Sequence, residues 1–241
     1  MMHRIALAGV GVAAAFVLAA SVYAVSSSVQ SEDSKGDPTQ GPCFELPDEE
    51  CMALQQKMSA DFDARLVAWV TDFNDDDIDL RSLPKGESLA DYAPPLDTLE
   101  ASVREAEVIL VGTATTVTFE GYYAFVAFEI EHALKGPVSK EITFVQGGGP
   151  RPDPEWKKAT LVEAPADPLL LPGDRAVLLL KYYAEPGWYE AQPWTGQYRL
   201  NEDGTISANE FNPFRRMVDD LSLDQFLALI EATDAGAGVS P

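Results

Sequence analysis

Val108 to Lys135 reads VILVGTATTVTFE, breaks at Gly121, and continues as YYAFVAFEIEHALK. In the second half the even positions are Tyr122, Ala124, Val126, Phe128, Ile130, His132 and Leu134. The odd positions are Tyr123, Phe125, Ala127, Glu129, Glu131, Ala133 and Lys135, so one face stays apolar while the other becomes charged toward its end. A period of two belongs to a half-buried strand and not to a helix. The first half is apolar on both faces from Val108 to Val111, as a paired central strand requires. Gly112 inside it suits a bend or bulge. The stretch predicts two long antiparallel strands joined by a tight turn.

Further strands follow at short intervals. After Lys135-Gly136-Pro137 comes EITFVQ, Glu141 to Gln146, and then Gly147-Gly148-Gly149. Three glycines can cradle a phosphate only with a helix N-terminus behind them. Pro150, Pro152 and Pro154 stand there instead, so the glycines predict a turn out of the sheet, followed by a long loop over 150–171. Pro172-Gly173-Asp174 leads into RAVLLLKYY, Arg175 to Tyr183. Trp188 to Leu200 reads as a fifth strand kinked at Pro193, and Asn201 to Gly204 as a hairpin turn into Thr205-Ile206-Ser207. Asp97 with Glu100 opens a short helix over 98–105, and Ser222 with Gln225 caps a last helix carrying Leu223, Phe226, Leu227 and Ile230. The expected fold is mainly β with flanking helices: a five-stranded antiparallel OB-like barrel, an N-terminal helical segment and a C-terminal helix.

The chain is then expected to divide into 1–24, 25–47, 48–106, 107–210 and 211–241. Ile5 to Val25 is an uncharged run behind a short positive start, Met1 to Arg4. Two readings stand. Val22-Tyr23-Ala24 ends a secretory signal with cleavage after Ala24; alternatively, the 21 residues from Ile5 to Val25 remain as a membrane anchor. Either way the remainder is exported, secreted or extracytoplasmic. Membrane contact would run only through residues 5–25, if uncleaved. Ser-rich Val25 to Gln40 predicts a flexible linker. With 17 Lys+Arg against 39 Asp+Glu the formal charge is −22, which repels nucleic acid and anionic lipid.

Cys43 and Cys51 are the two cysteines, and in an exported chain they predict a disulfide. Asp48 is placed to cap a helix from about Glu49 to Phe73 whose apolar stripe is Met58, Phe62, Leu66, Trp69, Val70 and Phe73. The stripe predicts packing on the barrel. Asn74-Asp75-Asp76-Asp77-Ile78-Asp79 invites weak calcium binding through Asp75, Asp76, Asp77 and Asp79. No register supplies both the sixth-position Gly and the twelfth-position Glu of an EF-hand, and a solvated acidic helix end is the bland alternative. No other cofactor is indicated.

The strand segments also carry a resemblance. EVILVGTATTV, FEIEHALKGP, EITFVQGGG, LLPGDRAVLLL and WTGQYRL resemble uncharacterised exported bacterial proteins with a TIMP-like or netrin-like OB barrel, over about Leu96 to Leu200. The resemblance implies the barrel and brings protease inhibition into view. Inhibitors of that superfamily chelate the target's metal through a free N-terminal cysteine; here cleavage would expose Val25, and Cys43 lies well inside.

For catalysis, His132 is the one histidine beyond residue 24, and no HExxH, GxSxG or Cys–His pairing exists. Glu129 and Glu131 share a face, but acidic pairs are common in so acidic a chain. The expectation is a non-catalytic binding or interaction module of the cell envelope. Tyr182, Tyr183, Trp188, Tyr189, Trp194 and Tyr198 gather across one expected hairpin and are the candidate ligand-binding residues. The partner would be an extracellular protein or a glycan. Cross-strand aromatic packing, and a purely structural envelope role, are the competing readings.

Overall fold

A computed structural model of the chain describes residues 48–76, 78–88, 94–136, 139–153 and 155–235. The expected leader, the linker, and Cys43 with its pairing to Cys51 lie outside the described residues, as does Asp77. By internal contacts the chain divides into Met1–Cys51 and Met52–Pro241, and the second unit holds all the strands described below. Among the described residues no helix is long and apolar enough to cross a membrane.

The elements run α1 (Asp48–Asp75), β1 (Lys85–Glu87), α2 (Leu99–Glu105), β2 (Val108–Glu120), β3 (Tyr123–Lys135), β4 (Glu141–Pro152) and β5 (Ala159–Glu163). Then come β6 (Arg175–Tyr183), β7 (Trp188–Ala191), β8 (Gln197–Leu200), β9 (Ile206–Ala208), α3 (Arg215–Val218) and α4 (Leu223–Asp234). The protein is mainly β with flanking helices. The described strands follow the order β1-β5-β4-β3-β2-β6-β8-β9. In addition β7 pairs with both β4 and β6, so pairing runs from β4 through β3, β2, β6 and β7 back to β4. Most pairs are antiparallel; β1–β5 and β4–β7 are parallel.

The long ribbon forms as its alternation predicts. Ala124, Val126 and Phe128 are fully buried, whereas Tyr123, Glu129 and Glu131 are exposed. Register shifts flank Val111/Gly112 in the β2–β3 pair. A Cβ at residue 112 would stand 2.0 Å from the Glu129 carbonyl oxygen, so glycine here lets two backbones meet.

Three apolar clusters hold the sheet. The first sets Ile109, Val111, Val177, Leu179 and Tyr198 against Val103 of α2 and Phe226 and Ile230 of α4. The second gathers side chains from β2, β3, β4, β6 and β7, among them Leu110, Phe128, Phe144, Leu178 and Ala191. The third packs Leu66, Val70 and Phe73 of α1 on Phe119, Leu161, Leu169 and Leu171. β2 and β6 therefore bury apolar side chains on both faces. Both helix starts are capped: Thr98, not Asp97, accepts from the Ala101 amide, and Ser222 with Gln225 forms the expected capping box.

Several expectations are corrected. The three glycines are not an exit turn. Gly148 and Gly149 lie within β4 at φ +130° and +143°, where the strand bends and goes on to pair with β5. A Cβ on Gly148 would lie 2.5 Å from the Val162 carbonyl oxygen, and one on Gly149 would lie 3.0 Å from the Phe119 ring. The expected loop 150–171 thus contains β5. The fifth strand is split into β7 and β8. Both run along β6, separated by an excursion in which the Gly196 amide donates to the Gln192 carbonyl. The α1 stripe is used only in its second half, because Met58 and Phe62 are 52 % and 44 % exposed.

The Gly112 contact yields a prediction. Gly112→Ala is expected to cost about 1–3 kcal/mol or more by forcing the β2–β3 backbones apart. A fall in the urea midpoint would register it; an unchanged midpoint would contradict the close approach.

Candidate functional site

Four of the six aromatic candidates meet around the β6–β7 hairpin. Tyr182 and Tyr189 are register partners with ring centroids 5.1 Å apart, and Tyr183 is the partner of Trp188. Trp188 leans across β4 toward β3. Its ring lies 5.4 Å from Tyr123 and 5.9 Å from Phe125, the latter edge-on. The indole Nε1 donates to Glu190 Oε1 at 2.6 Å, which fixes the ring's orientation. Phe125, Tyr182, Trp188 and Tyr189, together with Glu141, Thr143 and Val145 of β4, line an open groove of about 470 Å³. Gly187, at the end of the loop 184–187, borders it. Tyr123 and Tyr182 are each 42 % exposed.

The other two candidates lie elsewhere. Tyr198 is buried in the first cluster, 4.7 Å from the Phe226 ring. Burial drives its phenol well above the ordinary value. Trp194 sits in the excursion between β7 and β8 and packs edge-on against exposed Phe211. In exchange, β3 contributes Tyr123 and Phe125, which the sequence reading did not nominate. The signal was present: both are odd positions of β3, apolar residues on the face that turns charged further along.

The acidic run behaves as a helix end. Asp75 closes α1, Asp76 is exposed, and Asp79 accepts from the Arg81 amide at 3.0 Å to cap a 3-10 turn over Leu80–Ser82. Among the described residues no three acidic, histidine or cysteine side chains converge as a metal would need. His132 is exposed on β3. Glu131 shares its face with Glu129 but is engaged by Arg175 and Thr113, and these contacts lower its pKa.

A buried polar knot closes the end of the second cluster opposite the Tyr182–Tyr189 pair. The Gln146 amide donates to Asp167 Oδ1 at 2.8 Å and to Gln197 Oε1 at 3.0 Å. Its oxygen accepts from the Leu170 amide at 2.9 Å. Desolvation raises the Asp167 pKa to about 7, and the nearby Glu190 charge adds to the rise. The Gln146 hydrogen bond, the Gly147 amide and Arg199 oppose it. An aspartate in the apolar run ADPLLLP gave no local sign of such a setting.

No family model, curated protein or solved structure matches this chain.

Asp167 gives the second prediction. Its folded pKa lies above the ordinary 3.8, so its contribution to stability is full below that value and is lost as pH rises through about 7. Unfolding midpoints measured from pH 5 to 8 should therefore fall with rising pH. Asp167→Asn, which keeps an acceptor for Gln146, should flatten that fall; equal slopes in both proteins would refute the assignment.

Proposed function

We propose that the protein is an exported, non-catalytic binding module of the cell envelope, and that the circuit β2-β3-β4-β7-β6 is an OB-like barrel. The order of pairing supports the barrel: the first strand pairs the second and fourth, and the third pairs the fifth in parallel. A cluster drawing side chains from all five strands agrees with a closed interior. The TIMP-like or netrin-like resemblance is kept as a proposal about this fold.

One observation carries the binding reading. OB modules take oligomeric ligands on the face of their second and third strands, between the first and fourth hairpin loops. In this chain those strands are β3 and β4, and those loops are the turn at Gly121 and the segment 184–187. The exposed ring of Tyr123 and the half-buried rings of Phe125 and Trp188 stand on that face, with Tyr182 and Tyr189 at its edge. Flat apolar rings beside carboxylates suit glycans and peptides, whereas nucleic acid is repelled by the charge of −22. Export rests on the apolar run Ile5 to Val25.

Arrays of glycans and of peptides test the reading. A bound ligand is expected to lose at least about tenfold in affinity with Trp188→Ala, since an aromatic anchor is worth 1–3 kcal/mol or more. Trp194→Ala, outside the groove, should leave affinity unchanged. Silence on both arrays, or equal losses in the two variants, would remove the site.

A further inference from the structure

The binding reading above leaves the ligand's chemistry open, and the following inference rests on that reading and narrows it. Glu129 of β3 and Glu141 of β4 are register partners, set directly opposite each other, and both are exposed. Like charges in that position destabilise a strand pair. Among the described residues neither carboxylate has a cation within ion-pair distance, although Lys140 and Lys181 lie on neighbouring stretches of chain. The next carboxylate along β3, Glu131, is by contrast held by Arg175.

Glu141 lines the aromatic groove, and none of the groove's lining residues is a cation. Glu190, the register partner of Val145, is occupied by the Trp188 indole. The groove therefore holds aromatic rings, and at Glu141 it reaches a pair of exposed carboxylates that have no ion-pair partner among the described residues. Lysine and arginine satisfy both features, because their charges are drawn to aromatic faces as well as to carboxylates. The dimensions fit an extended chain. Phe125 and Glu129 are separated by four strand residues, about 13 Å, and side chains on one face of a bound strand recur every ~6.6 Å.

We propose that the groove binds an extended, basic segment of a partner protein. One lysine or arginine of that segment lies over the rings of Tyr123, Phe125 and Trp188, and another on the same face bridges Glu129 and Glu141.

The test uses the full chain at 0.15 M salt, where charges separated by more than ~8 Å are largely screened. The probe is an acetylated, amidated octapeptide of alternating lysine and alanine. The controls are its glutamate–alanine analogue and a set of neutral oligosaccharides. Saturable binding of the lysine peptide alone is expected. It should weaken about tenfold in the Glu129→Gln/Glu141→Gln variant, and as much again with Trp188→Ala. A charge-matched variant on α4, Asp224→Asn/Glu231→Gln, should change affinity by less than about twofold. Equal weakening by the two neutralised pairs would overturn the proposal, because only overall charge would then be at work. Binding of a neutral oligosaccharide that needs Trp188 but not the glutamates would also overturn it and would leave the binding module standing. No binding by peptide or sugar would overturn both.

Discussion

The structure depends on two adjacent strands whose faces are both apolar. Leu110 and Leu178 point into one cluster, and Ile109, Val111, Val177 and Leu179 into another. Neither side of the β2–β6 pair can be left to water, since burial of each such side chain is worth roughly 1.5–3 kcal/mol. The chain meets this demand twice. On one side the pairing runs on through β3 and β4 to β7. On the other, α2 and α4 lie across the sheet, each held at its start by a cap. α1 and β5 serve a third cluster around Phe119.

The strongest part of this was readable from the residues alone. Alternation from Ala124 to Ile130, the doubly apolar start of β2, the glycine at 112 and the Ser222–Gln225 cap are all local patterns, and each appears where its pattern placed it. Expectations failed where a distant segment decides. The glycines after Gln146 resemble an exit turn when read in order. Whether they continue a strand depends on β5, which arrives later and presses its Val162 carbonyl against them. The three residues of β1 have no periodicity to read at all.

The aromatic site was half legible for a related reason. The alternation of one strand tells which residues share a face, but not what that face meets once the strand is interrupted. The excursion at 192–196 sends Trp194 to a separate patch and leaves Tyr198 in the core. Tyr123 and Phe125 joined the cluster because Trp188 leans over Val145 to reach them. That approach depends on the pairing of β7 with β4, which no window of sequence contains.

The Gln146 amide has a chemical consequence of its own. Its nitrogen and oxygen serve an acid, an amide and a main-chain N–H at once, and only a neutral carboxamide can do so. Were ageing to hydrolyse it to glutamate, two buried carboxyl groups would face each other, and they could not both ionise. One would keep its proton or the segment carrying Asp167 and Leu170 would lift away. The plug at that end of the fold would thus record the molecule's chemical age.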